Sequence, residues 1–139
     1  VSNSWGASEP NSATSCDGAF RLMTNVIRAN ISAGITVLFS SGNDGYCNSI
    51  AFPACISGVI SVGAVYDANV GPKSFCARSE LACAGKSDPN CGSTGFLIED
   101  LFSTADRVTV YSNSGPNLSI FAPSDNCYAP DILNFDGYA

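Results

Sequence analysis

Histidine is absent from this chain, and no two of its cysteines stand in a Cys-x-x-Cys pair, so zinc sites of the usual spacing find no support. Charge is scarce as well. Charged residues make up 13% of the sequence, against roughly 25% in an ordinary soluble domain. Six basic residues face twelve acidic ones, for a net charge of −6. A phosphate backbone would be repelled, so no nucleic-acid partner is expected. No apolar run approaches the roughly 18 residues of a membrane helix, so no membrane segment is expected either.

What is abundant points elsewhere. The apolar share is 45% of 139 residues, enough for the core of one domain. Low charge with many Ser, Asn and Gly is typical of secreted chains. Seven cysteines, at 16, 47, 55, 76, 83, 91 and 127, read as disulfides formed in an oxidising compartment, so a secreted or extracytoplasmic location is expected. The odd count leaves one cysteine free or paired outside this chain, and the connectivity stays open. The opening "VSNSWG" resembles the end of a strand and the closing "NFDGYA" stops without a cap, so a piece of a longer chain is expected.

The order of elements reads as follows. Val1 to Gly6 is a short strand running into a loop, followed by a polar stretch. Ala19, Phe20, Met23, Val26, Ile27 and Ile31 recur at helical spacing, which predicts a helix over about Thr14 to Ala33 with Gly34 ending it. Ile35 to Phe39 is a continuous apolar run, as in a central parallel strand, which completes a βαβ unit. A second buried strand is expected over Gly58 to Tyr66. Residues 67–107 read as a disulfide-tied insertion with a short helix near Phe96 to Phe102. Two further strands are expected in "RVTVYSNSG" and "LSIFAPS", and residues 125–139 read as loop.

The expected class is therefore α/β, a mostly parallel sheet with flanking helices, incomplete and carrying a Cys-containing insertion. Ligands of such sheets bind beyond the carboxyl ends of the strands. Polar tips stand there at Ser4-Trp5-Gly6, at Ser41-Gly42-Asn43 and after Ala122-Pro123. The second tip ends "GITVLFSSGNDGY", where a turn alone would explain the glycines and a site would explain Asn43 as well, the alternative being an Asn-Asp turn with no catalytic duty.

The stretches "VSNSWG", "AGITVLFSSGNDG", "FPACISGVISVGAV", "YSNSG" and "IFAPS" occur in this order. The set resembles the middle of the catalytic domain of subtilisin-like serine peptidases, the subtilases. Residues 1–66 and about 108–124 match, whereas residues 67–107 replace a far shorter loop, so the whole of 1–139 reads as a partial catalytic domain. The resemblance implies that Asn43 donates its side-chain N–H to the oxyanion of the tetrahedral intermediate. A fixed neutral amide suits that task because it has no proton to lose near neutral pH. It also implies that Ser4, Trp5 and Gly6 pair with extended substrate. Ser41, Gly42, Phe52, Pro53 and Ala54 would line the pocket for the substrate's first residue, with apolar residues preferred.

No cofactor is required by this resemblance. Ala54, Ile56 and Val59 match positions where some subtilases hold a cation through backbone carbonyls, so calcium is a candidate. Ser124 replaces the glycine usual after Ala-Pro.

A subtilase needs a Ser-His-Asp triad, and a chain without histidine cannot hold one. Lys73 and Lys86 lack any motif for a Ser-Lys substitute. The expected function is thus the central part of a secreted serine endopeptidase, inactive alone. Its expected partners are a polypeptide substrate and the flanking parts of the same domain. The alternative is a catalytically inactive relative that binds peptides or partners in the same groove. A sedolisin-like acid peptidase is a third reading, opposed by "SSGNDG" because that group generally carries Asp at the place of Asn43.

Overall fold

The computed structural model describes residues 1–77, 83, 85–92 and 95–125, apart from the side chains of residues 8–11. The expected loop at residues 125–139 therefore lies outside the described residues, save Asp125. The framework is a four-stranded parallel sheet of β1 (Ser2–Asn3), β3 (Leu38–Ser40), β5 (Ile60–Tyr66) and β9 (Ile120–Ser124), in that spatial order. Leu38 stands opposite Ser2 and Ile60, and Val62 stands opposite Ser40 and Ile120.

Helix α1 (Arg21–Ser32) connects β1 to β3. It turns Thr24 and Ile27 inward, with Met23 and Ile31 packed alongside, onto a core that includes Val37, Phe39, Ile50, Phe52 and Ile56. It starts later than its apolar spacing predicts because residues 16–20 are pinned elsewhere. Cys16 is bonded to Cys55, its amide reaches the Cys55 carbonyl at 3.0 Å, and Asp17 accepts from the Ser57 amide at 2.9 Å. The helix ends as expected. Gly34 takes φ +80°, and the Gly34 and Ile35 amides return to the Ile31 and Asn30 carbonyls, closing the last turn.

The polar stretch after Gly6 is a strand, β2 (Ala7–Ser12), antiparallel to β4 (Ile50–Phe52). Within residues 67–107, β6 (Gly71–Ala77) pairs antiparallel with β8 (Phe96–Ser103), and β8 pairs with β7 (Lys86–Ser87). The short helix expected near Phe96 to Phe102 is thus a strand. Its backbone finds a ladder on both sides, and alternation over Phe96–Asp100 buries Ile98 and Asp100.

The strand expected over Arg107–Gly115 is also corrected. Only Val108 makes a bridge, to Val65. Arg107 and Thr109 still bond to β5, at Tyr66 and Ala64, whereas backbone groups of Tyr111, Asn113 and Ser114 go to loop partners described below.

Six cysteines pair as Cys16–Cys55, Cys47–Cys83 and Cys76–Cys91. Cys127 lies outside the described residues.

Candidate functional site

Because the four strands are parallel, their carboxyl ends gather on one side of the sheet. A groove of about 810 Å³ opens there and along one sheet face. Ser4, Ser41, Gly42, Asn43, Ala122 and Pro123 are among its lining, so the three polar tips do converge. Alternation along the strands explains its floor. Phe39 turns toward α1 and is 3% exposed, so Leu38 and Ser40 face the groove and stay half-buried.

Other residues singled out from the sequence lie elsewhere. Trp5 stands edge-on to Phe39, ring centroids 5.3 Å apart, and is half exposed. Gly6 crosses the Phe52 carbonyl so closely that a Cβ there would lie 3.0 Å from its oxygen. Phe52, Pro53 and Ala54 are buried behind it, and none of these five residues lines the groove.

The loop from Ser41 to Tyr46 is tied on every side except at Asn43. The Ser41 amide donates to the Val62 carbonyl at 2.8 Å, and the Ser41 carbonyl accepts from Ala51 at 2.8 Å. The buried Ser41 hydroxyl donates to the Asn113 carbonyl at 2.8 Å. The Gly45 amide donates to Tyr111, and the Tyr46 carbonyl accepts from Ser114 at 2.7 Å. These bonds engage backbone groups of Tyr111, Asn113 and Ser114 and draw that part of the segment away from a ladder. Asn43 itself is exposed on the groove, and its side chain takes no partner among the described residues.

The model of the subtilase family matches residues 1–137. This chain belongs to the subtilase family. No curated protein matches it. Among solved structures it is similar to the prenylagaramide maturation protease PagA, with TM-score 0.48 and 16% identity over 86% of this chain and 32% of that one. It is also similar to a lanthipeptide protease, with TM-score 0.43 and 16% identity over 88% of this chain and 28% of that one. The chain thus spans about a third of the length of those proteases. Its α/β fold, mixed parallel and antiparallel sheets and three disulfides make a subtilase domain fragment, related to proteolytic enzymes.

Within this subtilase chain the two candidate lysines are engaged as cations. Lys73 pairs with Asp125 at 3.2 Å and Lys86 with Glu99 at 2.9 Å. The hydrogen bond that Lys86 donates to Glu99 raises the ammonium above its ordinary value, the opposite of what a general base requires.

The candidate cation residues Ala54, Ile56 and Val59 are buried in the turns between β4 and β5. They offer backbone carbonyls only, a hard-oxygen set suited to Ca²⁺ or a monovalent ion. The Ile56 carbonyl already accepts the Val59 amide at 3.2 Å. Among the described residues no cluster of three or more Asp, Glu, Cys or His side chains could hold a metal. No helix among them is long and apolar enough to cross a membrane.

The residue that sequence reasoning passed over is Asn113. In "YSNSG" it reads as part of an expected strand, and nothing in the neighbouring residues marks its side chain.

Proposed function

We propose that this chain is the central part of a secreted subtilisin-like serine endopeptidase. It supplies the substrate-binding strand, the pocket walls and one donor of the oxyanion hole, and the triad comes from other parts of the protein. The observation that carries this reading is Asn43. Every backbone neighbour in its loop is anchored, while its own amide stands exposed over the groove at the end of a central parallel strand.

Attack of a serine hydroxyl on a peptide carbonyl turns the carbonyl oxygen into an alkoxide. An amide N–H fixed beforehand stabilises that charge without reorganising during the reaction. Ser4, Trp5 and Gly6 support the binding part of the proposal. They lie beyond the short β1–β3 ladder, with backbone available to an extended peptide.

The Ser41-Gly42 segment supplies pocket wall in this reading, and the buried Phe52-Pro53-Ala54 turn backs Gly6 without lining the groove. Asp44 accepts from the Asn113 amide at 3.1 Å and is not among the residues lining the groove, and an apolar substrate residue is the proposed preference. No cofactor enters the chemistry, and calcium on the Ala54, Ile56 and Val59 carbonyls would be structural.

Asn43→Ala in the full-length protease tests the reading. The expected result is a kcat lower by about 10²–10³ with KM nearly unchanged, a magnitude carried over from the corresponding asparagine of subtilisin. A changed KM with intact kcat would instead make Asn43 a binding residue, whereas a full-length protein with no measurable turnover would favour the inactive, peptide-binding alternative.

A further inference from the structure

The Asn113 side chain is fully buried and sits directly beneath the Asn43 loop. Its Oδ1 accepts from the amides of Asp44 at 2.9 Å and Tyr46 at 3.1 Å, which uses both lone pairs. Its Nδ2 donates to the Asp44 carboxylate at 3.1 Å. Its own amide donates to the Gly42 carbonyl at 3.0 Å, and its carbonyl accepts from the Ser41 hydroxyl at 2.8 Å. One residue, far away in sequence, thus holds the chain immediately before and immediately after Asn43.

We infer that Asn113 is a positioning residue for the oxyanion donor, clamping the loop so that the Asn43 amide is aimed before substrate arrives. The inference rests on the reading of Asn43 as that donor.

The chemistry of the position restricts what can serve there. It must accept two N–H bonds and donate one to a part-buried carboxylate, from a fully buried side chain, while staying uncharged. A primary amide does this, whereas a carboxylate lacks the donor and would face Asp44 with like charge. Hydrogen bonds made in a buried site are costly to leave unmade, so the clamp is stiff. Gly42 shows how close the clamp lies. A Cβ on Gly42 would meet Asn113 Nδ2 at 2.4 Å. Misplacing a catalytic donor by about 1 Å can cost about 10²-fold in rate, so a small slackening of this loop is enough to be read in kcat.

The test is a double-mutant cycle in the full-length protease, with kcat and KM measured on a short chromogenic peptide. A serine-directed fluorophosphonate counts the assembled sites, so that kcat is expressed per titrated site. Asn43→Ala alone is measured first, because an unchanged kcat there would remove the reading on which the inference rests. Given that loss, Asn113→Asp is expected to lower kcat per site by about 10- to 100-fold with KM within about twofold.

Adding Asp44→Asn returns a donor opposite the new carboxylate and is expected to recover most of the loss. The combination of Asn113→Asp with Asn43→Ala is expected to be no slower than Asn43→Ala alone, since a residue acting only through Asn43 has nothing left to aim. Unchanged kcat per site in Asn113→Asp, or additive losses in the combination, would overturn the inference and leave Asn43 standing as the donor. If Asn113→Asp yields no titratable sites, Asp44→Ala replaces it, because it removes a single bond of the clamp. It is then expected to lower kcat per site by about threefold or more, again without additivity, and an unchanged kcat would count against the clamp.

Discussion

At the residue scale, Gly42 separates two reasons for a glycine. It adopts φ +105°, which L side chains avoid, and a Cβ would also strike Asn113 Nδ2 at 2.4 Å and Ala51 Cβ at 2.9 Å. Gly71 also has positive φ, at +77°, but a Cβ there would meet nothing within 4 Å. Gly71→Ala is therefore expected to cost only the backbone preference, about 1–2 kcal/mol. Gly42→Ala is expected to cost about 1–3 kcal/mol more through the clash and the displaced amide. Chemical denaturation of the two variants decides, and equal losses would show that contact with Asn113 is unimportant. The sequence marked Gly42 as part of a polar turn that lines the pocket. The tight contact lies on the opposite side, against a side chain 71 positions away that no local pattern announces.

At the scale of elements, α1 owes its start to cross-links rather than to a cap. Phe20 at its N-cap offers no side-chain hydrogen bond. The Cys16–Cys55 disulfide and Asp17 join the segment before the helix to the turn after β4. The Ser57 amide holds the Asp17 carboxyl below the usual carboxylate range, against an opposing desolvation. The Ser57 hydroxyl and the Arg28 guanidinium add to the lowering. A carboxylate with a depressed folded pKa stabilises fully above its unfolded value, and that contribution is lost as pH falls through the folded value.

Asp17→Asn is therefore expected to cost about 1–2 kcal/mol at pH 7. The gap to the unmodified protein should shrink on acidification below about pH 4. Urea denaturation at pH 7 and at pH 3 measures it, and a gap independent of pH would remove Asp17 from this role. Helix, central strands and the Gly34 stop were legible because each is a local pattern. The β8 strand was misread because Phe96–Phe102 is short enough to fit either period, and its β6 partner decided the matter.

At the scale of the whole molecule, one sheet face is covered by α1 while the other forms the floor of the groove. Apolar side chains also stand outward: Leu22 is 85% exposed and Val26 59% on α1, and Ile120 and Phe121 are over 40% exposed on the edge strand β9. Exposed apolar patches and an open strand edge favour association. In the proposed peptidase they would be covered by flanking parts of the same domain. Residues 1–139 on their own are accordingly expected to bind a hydrophobic dye and to elute above their 14.3 kDa at micromolar concentration. They are also expected to hydrolyse no unfolded protein, since the triad's histidine is absent. A monomer without dye binding, or turnover above a blank, would contradict these expectations.

The order of motifs and the parallel strands could be read along the chain, as could the nomination of Asn43 as a candidate, because apolar runs, glycine stops and short motifs are written in neighbouring residues. The pairing of six cysteines, the strand at Phe96–Ser103 and the Asn113 clamp were decided only by the tertiary structure. Hydrogen bonds between loops have no period and leave no trace along the chain. They exist only once parallel strands bring distant ends to one side of a sheet, where a buried amide must find its partners among whatever the fold has placed beside it.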